Sequence, residues 1–145
     1  EDEIAALTTL SSLQETGITI NWGRSAIEGR SVNKPIEHIN LAQEKKLLTG
    51  LIFSGATNND KLYGKWKDNH IPFSKSYDVE CFEENSLLTH KNVSNILQLL
   101  DLNGLHYLGI KLLSMPINNS SIERRVGVNR DAIFILEHII SELDL

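Results

Sequence analysis

The stretch Leu47-Leu48-Thr49-Gly50-Leu51-Ile52-Phe53 constrains this sequence most: a short apolar run with Lys45-Lys46 before it and Ser54-Gly55 after it. It is far shorter than the roughly 20 residues that a membrane-spanning helix needs. A run with no alternating polar side reads as a strand buried on both faces, in the middle of a sheet. A central strand needs flanking strands and covering helices, and the rest of the sequence offers both.

Upstream, Ile4, Leu7, Leu10 and Leu13 recur at helical spacing and stop before Gly17, which suits a helix end; Glu1, Asp2 and Glu3 place negative charge at its start. Ile18, Ile20 and Trp22 then alternate with Thr19 and Asn21, the period of a half-buried strand. Gly23 and Gly29 bracket a polar turn region over residues 23–34 that holds Arg24 and Arg30, and residues 35–42 read as a further strand. Residues 56–76, with Asn58, Asn59, Asp60, Gly64, Asp68, Asn69 and Pro72, form a long loop or irregular hairpin with Tyr63, Trp66 and Phe73 embedded in it. Tyr77, Val79 and Cys81 alternate with Asp78, Glu80 and Phe82, giving a strand with one polar face.

The second half changes character. Val93, Ile96, Leu97 and Leu100 follow helical spacing, with Thr89 or Asn92 as N-cap and Gly104 as a stop. Residues 105–115 read as a strand ending at Pro116 and residues 118–125 as a polar loop. Asn129 is placed to cap a final helix with the stripe Ile133, Leu136, Ile140 and Leu143. The expected fold is α/β or α+β: a single domain over residues 1–145, with a mixed sheet of about four to five strands packed by an N-terminal, a central and a C-terminal helix.

Composition bounds the function classes. The chain has 145 residues, 41% of them hydrophobic and 23% charged, which excludes a disordered tail or a fibrous repeat. With 14 Lys+Arg against 19 Asp+Glu the formal charge is −5, so nucleic acid is not an expected partner. Cys81 is the one cysteine, and it can form neither an intramolecular disulfide nor a thiolate metal cluster within the chain. No apolar stretch is long enough to span a membrane. The chain starts at Glu1 without a basic signal-peptide start, which fits a mature product or an excised domain, cytoplasmic or periplasmic or secreted after processing.

No phosphate loop, dinucleotide fingerprint or metal-ligand spacing occurs, so neither metal nor cofactor is expected. Of the histidines at 38, 70, 90, 106 and 138, His106 and His138 read as structural imidazoles in an apolar strand and a helix stripe. His70, beside Asp68 in the polar loop, is the candidate for acid–base chemistry, with Asp68 or Asp60 as its carboxylate. Ser54 follows the central strand, where α/β enzymes place chemistry. Asp78, Glu80, Glu83 and Glu84 form a local acidic group, which suits a solvated edge.

Two functions stand against each other. The first is a non-catalytic binding, regulatory or interaction module that meets a protein partner or small ligand through Tyr63, Trp66 and Phe73, held exposed in a loop with Lys65 and Lys67. The alternative is a small hydrolase-like enzyme that uses His70 with Asp68 or Asp60. A homo-oligomer is a third expectation.

Overall fold

The computed structural model describes residues 2–11 and 16–145. Three strands, β1 (Ile18–Asn21), β2 (Leu48–Phe53) and β3 (Tyr107–Ile110), form one parallel sheet in sequence order, with β2 in the centre. The helices are α1 (Asp2–Leu10), α2 (Trp22–Gly29), α3 (Lys34–Glu44), α4 (His90–Leu97) and α5 (Ile122–Glu142). A short 3-10 turn, Leu102–Gly104, precedes β3. The class is therefore mixed α/β, and the sheet has three described strands where the sequence suggested four to five.

The missing strands have particular explanations. Residues 35–42 form most of α3. Their buried positions are Pro35, His38, Ile39 and Ala42, which is the i, i+3, i+4, i+7 spacing of a helix, and Pro35 sits in the first turn, where its missing N–H costs nothing. Residues 23–34, expected as a turn, contain the rest of α2, capped by the Asn21 side chain accepting from the Arg24 amide. Residues 77–82 are not a strand. Tyr77 has φ 56°, outside the extended region, and the amides of Glu80 and Cys81 donate to the buried Asp131 carboxylate of α5 at 3.1 and 2.9 Å. A side chain thus satisfies backbone groups that a neighbouring strand would otherwise take. With no strand there, Asp78 and Glu80 do not share a strand face.

Two further readings shift. Of the strand read over 105–115, only Tyr107–Ile110 is extended ladder. The last helix starts at Ile122, capped by Ser121 rather than Asn129, so the second half of the expected polar loop is helix. Its buried face runs through Val128, Ala132, Ile135, Leu136 and Ile139 while Ile133 is exposed, a rotation of the expected stripe. Of the two expected N-caps, Thr89 and Asn92, the structure uses Thr89, whose hydroxyl accepts from the Asn92 amide. The end of the N-terminal helix around Leu13 lies outside the described residues.

Alternation along the strands separates the two sheet faces. Ile20, Leu51 and Leu108 stand in register, as do Phe53 and Ile110, and all of them join the core with Trp22, Ala26, Ile39, Val93, Ile96 and Ile135 from the helices. Two right-handed crossovers taken in the same direction put their helices on one side of a parallel sheet, and that is the side where this core lies. Thr19, Gly50 and Tyr107 form a row on the opposite face, and Asn21, Ile52 and Gly109 the next.

Candidate functional site

In a parallel sheet every strand ends at the same rim, and ligands of α/β folds collect there because the loops leaving the strands converge with helix N-termini. Here that rim is formed by Asn21, Ser54 and Lys111, each at or just after the end of its strand. Asn21 has two roles. Its side-chain oxygen caps α2 and also accepts from the Ser54 hydroxyl at 2.7 Å. Ser54 has no exposed surface. The first turn of α2 lies so close to β2 that a Cβ at Gly23 would stand 2.4 Å from the Ser54 carbonyl oxygen, so only glycine permits this junction.

The loop leaving β2 folds over this rim and brings its polar residues with it. Asp68 pairs with Arg24 of α2, Nε to Oδ2 at 3.0 Å, across 44 residues of sequence. Its other oxygen lies 3.1 Å from Nδ1 of His70. That contact lacks hydrogen-bond alignment, so Nδ1 is a buried nitrogen with no hydrogen-bond partner among the described residues. The His70 side chain is 17% exposed. Burial holds its pKa below the ordinary imidazole value; the Asp68 charge opposes this, and the Lys111 and Arg24 charges assist it. His70 is therefore mostly neutral at pH 7, with one carboxylate and two cations around it.

The loop is pinned at several points. Tyr63, 1% exposed, donates its hydroxyl proton to the Leu113 carbonyl at 3.0 Å and accepts from the Met115 amide at 3.1 Å, and its own carbonyl accepts from Asn69. The His70 carbonyl accepts from the Leu113 amide, and the Trp66 amide donates to Thr57. Trp66 and His70 both have positive φ, 53° and 51°. Non-glycine residues in that region cost about 1–3 kcal/mol each and persist where surrounding structure holds them, as it does in functional loops.

The sequence candidates divide. His70 and Asp68 come together at the rim. Asp60 does not join them: its carboxylate accepts from the amides of Leu62 and Tyr63, both at 2.8 Å, and from Asn85, and the Tyr63 amide leads the causes that hold it below the usual carboxylate pKa. Tyr63 and Phe73 are in the interior at 1% exposure, so the expectation of an exposed aromatic trio is corrected to Trp66 alone. Half-buried Trp66 and exposed Lys65 line a cleft of about 520 Å³ with Ile27, Glu28 and Arg30, and Lys67 stays exposed nearby in sequence. His106 lies exposed just before β3, and His138 is exposed on α5, its ring 3.8 Å from that of Phe134, so neither is an interior imidazole.

Asn21, Arg24 and Lys111 escaped the sequence reading. The signal for Asn21 was available, because it ends an alternating strand directly before Trp22-Gly23. Arg24, in the first turn of α2, and Lys111, just after β3, could be found only by knowing that β1 and β3 flank β2 and run the same way. Asn21 and Arg24 also line a cavity of about 170 Å³ at the outer edge of β1, beside Ser25, Glu28 and His38. There Ser25 and His38 hydrogen-bond at 2.9 Å and tie α2 to α3. Among the described residues no group of His, Cys, Asp or Glu is arranged to hold a metal ion, and no helix is long and apolar enough to cross a membrane.

The sequence comparisons place the chain without assigning it a chemistry. An uncharacterized protein of Salmonella typhimurium, STM3670, is 37% identical over 123 residues, which are 85% of this chain and 37% of that protein. This chain thus spans well under half the length of that relative. No solved structure matches. The family model described as "Domain of unknown function (DUF4862)" matches residues 1–128, and the chain belongs to that family.

Proposed function

We propose that the rim formed by the C-terminal ends of β1, β2 and β3 is an enzyme-type site that binds a small anionic molecule and transfers a proton on it through His70. One observation carries this reading: His70, Asp68 and Arg24 are adjacent at the sheet's ligand end, although 44 residues separate the Arg24–Asp68 pair in sequence. The residues have separable tasks. A neutral imidazole is a base near pH 7, and Asp68 beside Nδ1 is placed to stabilise the imidazolium once the proton has been taken. Arg24, Lys111 and the N-terminal end of α2 supply positive potential for an anionic group. Ser54 and Asn21 hold the end of β2 against the start of α2, which keeps the rim's geometry fixed.

The test is a two-dimensional NMR titration of the protein with inorganic phosphate as probe, alongside a pH titration of the His70 ring. Phosphate is expected to shift the signals of Asn21, Arg24, His70 and Lys111 and to raise the His70 pKa. No shift at these four residues at tens of millimolar phosphate would overturn the reading. The binding-module alternative rests on one observation, half-buried Trp66 with exposed Lys65 beside the cleft under α2. Shifts confined to Lys65, Trp66 and Arg30 would favour it instead.

A further inference from the structure

The face of the sheet opposite the helix-covered core is packed large against small, and its β3 side lies open, with Tyr107 47% exposed. Parallel sheets bury both faces, because their crossovers bring helices to them or because the sheet closes on itself. In a doubly wound sheet the strand order reverses and helices cover both sides. Here the order is β1-β2-β3 without reversal, and the core lies on one side. The other side carries a packing pattern of large against small. The Tyr107 ring lies across Gly50, where a Cβ would come within 2.6 Å of it, and its hydroxyl meets that of Thr19. Tyr107 nevertheless remains 47% exposed, and a Cβ built at Gly109, in the next row, meets nothing within 4 Å. Among the described residues β1 and β3 each pair with a strand on one side only, leaving unpaired backbone donors and acceptors along both edges, with α1 beside the β1 edge, where Glu3 and Ile4 line a cavity with Ile18 and Thr19.

A sequential parallel sheet with helices on one face, side chains interleaved on the other and two unpaired edges is the geometry of an arc of a closed βα barrel. We propose that this three-stranded sheet is such an arc, and that its open face and both edges dock further parallel βα units of the same polypeptide type, closing a barrel around Tyr107 and Ile52. Length names the occupant. The 123 matched residues are 37% of the Salmonella relative, so that protein has about 330 residues, within the range of eight-unit barrels. In the closed form the Asn21–Arg24–Ser54–Lys111 rim becomes part of the barrel's mouth, and the added strands contribute the rest of its lining. The proposal stands on the sheet and does not depend on His70 chemistry.

The experiment compares three proteins by hydrogen exchange and thermal melting: this chain alone, the intact Salmonella relative, and that relative with this chain substituted for its matching segment. In the intact relative, peptides matching β1 and β3 are expected to be as protected as the β2 peptide, whereas in this chain alone the edge strands should exchange about a hundredfold faster than β2. Gly109→Arg, which adds a long cation in open space, is expected to leave the Tm of this chain unchanged and to lower that of the chimera by several degrees. Edge strands that exchange faster than β2 in the intact relative would overturn the proposal whether or not the chimera folds. So would equal effects of Gly109→Arg in both proteins, or a dimer of this chain that protects the Tyr107 face and makes a second copy the occupant.

Discussion

Tyr63→Phe isolates the clamp that holds the candidate site's loop against the sheet. The Tyr63 hydroxyl lies in the interior between the Leu113 carbonyl and the Met115 amide, at 3.0 and 3.1 Å. Phenylalanine keeps the ring's packing and removes only the oxygen. Each lost hydrogen bond is worth about 1 kcal/mol net, and a carbonyl and an amide are then left unsatisfied where water has little access, so the total cost should be about 2–3 kcal/mol. For a chain of this size, with a urea m-value near 2 kcal/mol/M, that lowers the unfolding midpoint by roughly 1 M at unchanged slope.

The same substitution has a signature in pH. Burial, opposed by the Met115 hydrogen bond and aided by Glu83, pushes the Tyr63 phenol up to about 12 from an ordinary value of 10.0. Between those values the folded protein holds a proton that the unfolded chain has lost, so stability falls as pH rises. The contribution is complete below pH 10 and disappears as pH climbs through the folded value. Tyr77 is also pushed up to about 12, by burial and by Glu142, and it titrates alike in both proteins. The stability gap between wild type and Tyr63→Phe should therefore narrow from pH 10 upward. Urea melts by tryptophan fluorescence at pH 8, 10 and 11 measure it. A midpoint shift below about 0.3 M at pH 8, or a gap that widens above pH 10, would refute the reasoning.

Further outcomes follow from the same geometry. Because the buried His70 has a lowered pKa, the unfolded chain binds its proton more readily than the folded one; stability should rise with pH up to about 6.5, and the His70→Gln melt should lack that slope. Asp131 is 5% exposed, and although burial opposes its ionisation, the Cys81 and Glu80 amides and Arg130 together hold it below the usual carboxylate range. Asp131→Ala should cost about 2–4 kcal/mol at pH 7 in urea unfolding, and the loss should shrink as pH falls from about 3.8, where the unfolded chain takes up the proton, down through the lower folded value. Gly23→Ala forces a Cβ onto the Ser54 backbone; it should lower the Tm by several degrees and shift the NMR signals of Asn21 and Arg24, and unaltered signals would show that the junction yields. Lys111→Met, at an exposed residue, should weaken phosphate binding at the rim severalfold with the Tm unchanged, and equal affinity would remove Lys111 from the site.

Elements whose pattern is local were legible. The run 47–53 was legible as a central strand, because an apolar stretch this short needs neighbours on both sides, and the structure places it between β1 and β3; its face carrying Gly50 and Ile52 is not packed by the helical core. Thr89 caps its helix because the cap needs only its own amides three residues on. Where two periods coexist, local pattern does not decide the element. Residues 35–42 suit a loose alternation and a helical stripe together, and only their burial against β1 and β2 decides between them. The pair at His70 and Asp68 was readable as neighbours in sequence, whereas Arg24 was not, since nothing local indicates that the loop after β2 returns to α2.

By itself the sequence determined a mixed α/β chain with a buried middle strand, no thiol cluster, a net negative charge and a polar loop carrying His70. The tertiary structure alone decided that residues 77–82 are not a strand, because the Asp131 carboxylate takes their amides from a distant helix. It alone decided that Tyr63 and Phe73 are interior while Trp66 is not, that Asn21 and Ser54 meet where β1 and β2 end, and that Arg24 and Lys111 come near the Asp68–His70 pair. The physical reason is common to all of them. Hydrogen bonds, burial and charge act between groups that are close in space, and a parallel sheet makes neighbours of residues that the sequence sets tens of positions apart.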